Sequence, residues 1–136
     1  MSDLIEIKFI SEKKGRGAIA KKDIKKDTII DEAHVILIPN DHYDIIQDTI
    51  LYDYIFAWDD PKHNGEYQCA IAMSISQFIN HSYNPNVRYS YDYEKKLIKF
   101  IAIKDIKKGE ELLVNYNGIV DDNSPLWFDV EDENHC

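Results

Sequence analysis

From Gln77 to Asn86 the chain reads QFINHSYNPN, and this stretch holds the residues best suited to chemistry. Asn80, His81 and Ser82 come directly after the apolar pair Phe78 and Ile79. Their polar groups are therefore delivered to the edge of a core rather than to open solvent. Asn84, Pro85 and Asn86 then impose a turn. Proline fixes its own φ, disfavours helix at the preceding residue, and leaves two asparagines able to hydrogen-bond nearby backbone. Alone, such a segment reads as an ordinary Asn/Pro turn with a satisfied histidine.

Two further stretches change that reading. Lys14 to Ala20 runs KGRGAIA, and Gly109 to Asn117 runs GEELLVNYN, about thirty residues beyond the polar corner. In this order the three stretches resemble the sequence marks of the SET domain, a family of S-adenosylmethionine-dependent protein-lysine methyltransferases. The resemblance runs from about Ile5 to Asn117 and is closest to minimal SET proteins without flanking domains, such as those of viruses and bacteria. It implies a mainly β fold with short helices: the β-clip arrangement of several small sheets with a threaded C-terminal segment. It also implies transfer of a methyl group from S-adenosylmethionine to a lysine side chain of a basic protein or peptide.

Methyl transfer to lysine needs a sulfonium donor, a neutral amine and in-line geometry. A free lysine amine, with a pKa of about 10.4, is almost wholly protonated at neutral pH, so a site must desolvate and align it. By resemblance, Tyr116 is the catalytic tyrosine, its hydroxyl at the transfer point; otherwise it is a core tyrosine ending a strand. Asn80 matches the residue that holds the amino-acid end of the cofactor, and His81 the one whose main chain contacts adenine. Lys14, Gly15, Arg16 and Gly17 match the backbone segment along the cofactor, where glycine permits close approach. Arg16 either faces the cofactor carboxylate or is solvated. Tyr89 and Val114 stand where the family crowds the lysine pocket. Tyr89 there favours mono- over trimethylation, or else makes a cross-strand aromatic contact.

The sequence also departs from the family pattern. Tyr83 stands where many members have a zinc-binding cysteine, and no C-terminal cysteine cluster follows. Asn115 and Asn117 replace an aspartate and a glycine around Tyr116. Cofactor closure then falls to Asn123 to Val130, NSPLWFDV, in which Trp127 either stacks on adenine or pins the tail to the core.

Composition sets the outer bounds. The 136 residues, 44% hydrophobic, suit one domain. We expect a SET domain over residues 1–120 and an acidic tail over 121–136. No apolar run approaches the roughly 18 residues of a membrane span, and no leader pattern opens the chain, so a cytoplasmic protein is expected, or a nuclear one in a eukaryotic setting. Cys69 and Cys136 offer neither a disulfide framework nor a metal site. The net charge of −9, with six acids and no Lys or Arg from Asp121 to Cys136, disfavours direct nucleic-acid binding and suits a basic partner, or merely keeps the protein soluble. A homodimer would complete the substrate groove of so small a domain. The rival readings are a SET fold that binds but does not catalyse, and a small β-rich adaptor with an acidic tail.

The elements follow from periodicity. Ile5, Ile7 and Phe9 alternate with Glu6 and Lys8, as on a half-buried strand. Strands are also expected over Ala18–Ala20, Thr28–Ile38, within Glu66–Met73, over Val87–Tyr93, Leu97–Ile103 and Glu111–Tyr116. Asn40 would cap a short helix with Ile45, Ile46, Thr49 and Ile50 on one face, and Ser74 a second. Leu51 to Trp58 fits strand or helix. Ala20 to Lys26 and Ala102 to Lys108 match at six of seven positions, which predicts two equivalent corners with Ile24 and Ile106 plugged inward.

Overall fold

A computed structural model of the protein describes residues 3–62 and 66–115. The chain opens with β1 (Ile5–Ser11) and β2 (Gly15–Ala20), an antiparallel pair turned through Gly15 at φ +69°. The expected alternation holds at Ile5, which is buried, and fades along the strand to Phe9, 68% exposed. The cause is the hairpin's length. It runs on past the core, so its far end flanks a cavity instead.

Seven strands form the second sheet: β3 (Ile29–Pro39), β4 (Ile55–Ala57), β5 (Tyr67–Ala72), β6 (Asn80–His81), β7 (Val87–Asp92), β8 (Leu97–Ala102) and β9 (Leu113–Val114), ordered β4-β5-β3-β8-β7-β9-β6. β3 is long enough to serve two partners. Ile29 to His34 pairs with β8 and Val35 to Pro39 with β5, both antiparallel. β8 lies centrally, and Ile98, Phe100 and Ala102 are wholly buried against Val87, Ile79 and Leu112. This is the mainly β fold with short helices that the sequence implied. Among the described residues no helix is long and apolar enough to cross a membrane. The threaded C-terminal segment, and the expected domain limit near residue 120, lie outside the described residues.

The repeated heptads prove to be partners of each other. Ile24 and Ile106 exchange both backbone hydrogen bonds at 2.7 Å, and both side chains are buried. Asp27 N–H donates to the Ala102 carbonyl at 2.8 Å, and Gly109 N–H, its counterpart, to the Ala20 carbonyl at 2.9 Å. Asp105 Oδ1 accepts from Lys26 N–H, and Asp23 Oδ1 from Lys108 N–H, both at 2.9 Å. Asp27 and Gly109 both take positive φ, +70° and +92°. Two similar sequences thus fold into one interlocked corner with a local two-fold relation.

Three local expectations need correction. Asn40 does not cap α1 (Asn40–Ile46): Pro39 holds that position, and Asn40 Oδ1 instead accepts from Gln68 N–H at 3.0 Å. Pro39 has no N–H to give, the β3–β5 register shifts there, and the asparagine side chain continues the pairing. The helix ends at Ile46, before Ile50, and both Ile45 and Ile50 are exposed rather than set against a core. Leu51 to Trp58, for which strand and helix were both open, holds some of each: a 3₁₀ turn, Ile50–Tyr54, and strand β4. Ser74 precedes a second 3₁₀ turn, Ile75–Phe78, but its hydroxyl donates to buried Asp31 rather than capping the turn.

Candidate functional site

The polar corner is built around Asn86. Its Oδ1 accepts from Leu113 N–H at 2.8 Å, its Nδ2 donates to the Glu111 carbonyl at 2.9 Å, and its own N–H donates to the Leu113 carbonyl at 3.1 Å. One buried side chain therefore joins the NHSYNPN stretch to the GEEL stretch. Ser82 Oγ accepts from Asn84 N–H at 2.9 Å and tightens the turn before Pro85. The join extends to a parallel pairing of β6 with β9, Asn80 beside Leu113 and His81 beside Val114.

The GRG stretch closes on the same place. Leu112 N–H donates to the Ala18 carbonyl at 2.8 Å, and Ile19 bridges Glu111. Gly17 sits so close that a Cβ there would lie 2.7 Å from Asn80 Nδ2 and 2.8 Å from Glu111 Oε2. Only glycine leaves room for both side chains.

Those side chains form a short relay. Lys14 Nζ lies 3.1 Å from Glu111 Oε1, an ion pair 97 residues apart in sequence with both side chains mostly buried. Glu111 Oε2 accepts from Asn80 Nδ2 at 2.9 Å, and the Arg16 carbonyl accepts from the same nitrogen at 3.2 Å. Both amide hydrogens of Asn80 are thereby engaged, which turns its Oδ1 into the atom free to meet a donor. Arg16 is exposed and makes no ion pair with a carboxylate among the described residues; its guanidinium lies over the Phe78 ring, 4.6 Å from the centroid.

Lys14, Gly15, Arg16 and Asn80 line one cavity of about 280 Å³, closed by Phe9, Tyr54, Gln77 and Phe78. Gln77 fastens the wall at two points: Oε1 accepts from Ala72 N–H at 3.2 Å and Nε2 donates to the Tyr54 carbonyl at 2.8 Å. Four of the residues marked by sequence are thus brought together. His81 and Gly17 adjoin them without lining the cavity; His81 is buried, its ring edge-on to Tyr83 at 4.5 Å. Val114 is 2% exposed in the hydrophobic core. Tyr89 stands edge-on to Phe56 at 5.3 Å and near Phe100 at 6.2 Å, the cross-strand aromatic contact that was one of its two readings. Burial pushes its phenol pKa up, and its neighbour Tyr91 further still. Tyr116 and Trp127 lie outside the described residues.

Glu111, Phe78 and Tyr54 carried no individual expectation. Glu111 lay inside the quoted GEEL, but its partners are 31 and 97 residues away, and nothing local marks them.

Residues 15–117 match the SET domain family. Over 122 residues the chain is 29% identical to a histone-lysine N-methyltransferase, H3 lysine-37 specific, of Schizosaccharomyces pombe, covering 89% of this chain and 75% of that protein. It is 32% identical to the histone-lysine N-methyltransferase EZH2 of Chaetomium thermophilum, covering 82% of this chain but 8% of the relative. Among solved structures, ctPRC2 in an autoinhibited conformation bound to S-adenosylmethionine superimposes with a TM-score of 0.69 at 26% identity, over 85% of this chain and 15% of that one.

Proposed function

The chain belongs to the SET domain family, and from that premise we propose that it is a protein-lysine N-methyltransferase, using S-adenosylmethionine to methylate a basic protein of the histone kind on which those relatives act. The observation that carries this reading is the Lys14–Glu111–Asn80 relay at the wall of one cavity, made by three stretches remote in sequence.

The residues present fit the cofactor's charged amino-acid end. Asn80 offers an acceptor, Oδ1, to an ammonium, because both its N–H groups are already engaged. Lys14 and Arg16 supply positive charge to a carboxylate. Gly17 leaves the backbone open beside them. When bound, S-adenosylmethionine supplies an electrophilic methyl group on its sulfonium.

The rest falls to the protein. A target lysine enters as an ammonium and must lose a proton before it can act as a nucleophile; removal from water lowers its pKa and favours that loss. In this reading Tyr116 holds the amine in line through its hydroxyl, and positioning replaces part of the entropic barrier. Tyr89 or Val114 limits the number of methyl groups accepted, with monomethyl-lysine as the main product.

Calorimetric titration with S-adenosylmethionine tests the site. Wild-type protein is expected to bind, and Asn80→Ala to bind at least about tenfold more weakly, the scale of one hydrogen bond to a charged group. Equal affinity in the two proteins would remove Asn80 from the site.

A further inference from the structure

The two interlocked corners carry seven lysines: Lys21, Lys22, Lys25 and Lys26 on one, Lys104, Lys107 and Lys108 on the other. All seven are exposed. None makes an ion pair with a carboxylate among the described residues. The corner's own acids do not neutralise the pole by pairing with lysine ammonium groups. Asp23 and Asp105 accept backbone N–H groups, and Glu110 Oε1 accepts from Lys107 N–H at 3.1 Å. Residues 28–61, by contrast, contain eight acids and no Lys or Arg. Asp23, Asp27, Asp105 and Glu110 share the corners with the seven lysines, so an excess of three positive charges remains there on an acidic protein.

We propose that this pole binds the phosphate backbone of double-stranded nucleic acid. The two-fold relation makes Lys22 the counterpart of Lys104, Lys25 of Lys107 and Lys26 of Lys108, and the reciprocal bonds from Lys26 N–H to Asp105 and from Lys108 N–H to Asp23 hold both sets of lysines on one rigid base. The pole presents no apolar anchor, since Ile24 and Ile106 are buried. Protein interfaces rely on such anchors and are depleted in lysine, which argues against an acidic protein partner. Neither corner contains an aromatic residue, so bases of a single strand would have nothing to stack on. What remains is phosphate contact, which positions without reading sequence. The net charge of −9 opposes such binding at long range. Salt at about 0.1 M screens that repulsion beyond about 10 Å, while contacts at the pole persist.

The test is fluorescence anisotropy of a labelled DNA duplex against the full-length protein over a range of salt. It compares wild type with Lys25→Gln, Lys26→Gln, Lys107→Gln and Lys108→Gln combined. A control variant, Lys8→Gln, Lys62→Gln, Lys95→Gln and Lys99→Gln combined, removes the same charge elsewhere. We expect the pole variant to bind at least about tenfold more weakly at about 50 mM salt, with the log–log salt slope shallower by about 0.9 per contacting lysine lost. The control should keep the wild-type slope, and all three proteins should melt alike. Absence of duplex binding by wild type, an equal loss in the control, or tighter binding to polyglutamate than to duplex would each overturn the proposal.

Discussion

At the scale of single residues, function turns on how Asn80 is held. Its amide could rotate to present either end, and Glu111 with the Arg16 carbonyl fixes it with the oxygen free. Glu111→Gln keeps the volume but removes the charge and the ion pair to Lys14. We expect affinity for S-adenosylhomocysteine to fall about tenfold, the scale of a charge-assisted bond. Affinity for methylthioadenosine, which lacks the amino-acid end, should be unchanged; a loss of both would mean general damage. Gly17→Ala should cost more binding than Gly15→Ala. The first forces a Cβ against Asn80 and Glu111, while the second meets nothing within 4 Å. Gly15→Ala should instead lower stability by roughly 1 kcal/mol, through its positive φ, as thermal melting would show. Asn80 and the glycines were legible in sequence because their types and spacing are distinctive. Glu111 was not, because its role exists only when β2 and β6 meet.

At the scale of elements, hydrophobic periodicity gave the strands well and the polar ends poorly. β7 and β8 lie where they were expected, β8 buried at every position but Lys99, whereas Asn40 and Ser74 spend their side chains on other strands, a tertiary choice that local preference does not contain. β7 also bears a ladder of tyrosines. Tyr91 stacks on Tyr93 at 5.4 Å and stands edge-on to Tyr89 at 5.8 Å, with the buried Trp58 across from Tyr91 and Tyr93. Burial, with the neighbouring phenols and Asp59 after it, holds the Tyr91 phenol far above its usual range, and burial raises Tyr89. In the unfolded chain these groups ionise near pH 10. Stability from this ladder is therefore complete below about pH 10 and lost as pH rises further, because only the unfolded chain then releases the protons. Denaturant titrations at rising pH should show a decline approaching about 1.4 kcal/mol per pH unit for each buried tyrosine, shallower in Tyr91→Phe. A decline unchanged in that variant would remove Tyr91 from the effect.

At the scale of the whole molecule, one sheet and one hairpin bring remote stretches to a single cavity, and the duplicated heptads lock the chain between them. The repeat itself was visible in sequence, as was the inward plugging of Ile24 and Ile106. That the two copies bind each other was not, since six matching positions say nothing of mutual contact. Charge is equally uneven, with acids gathered over residues 28–61 and lysines at the corner, a pattern that net charge conceals. The most direct measurement of the central claim is mass spectrometry of a basic substrate protein, such as purified histones, after incubation with the enzyme and S-adenosylmethionine. Methyl-lysine formed by wild type and absent with Tyr116→Phe is the expected result. No methyl-lysine from a wild-type protein that binds the cofactor, or equal methylation by the variant, would contradict the account.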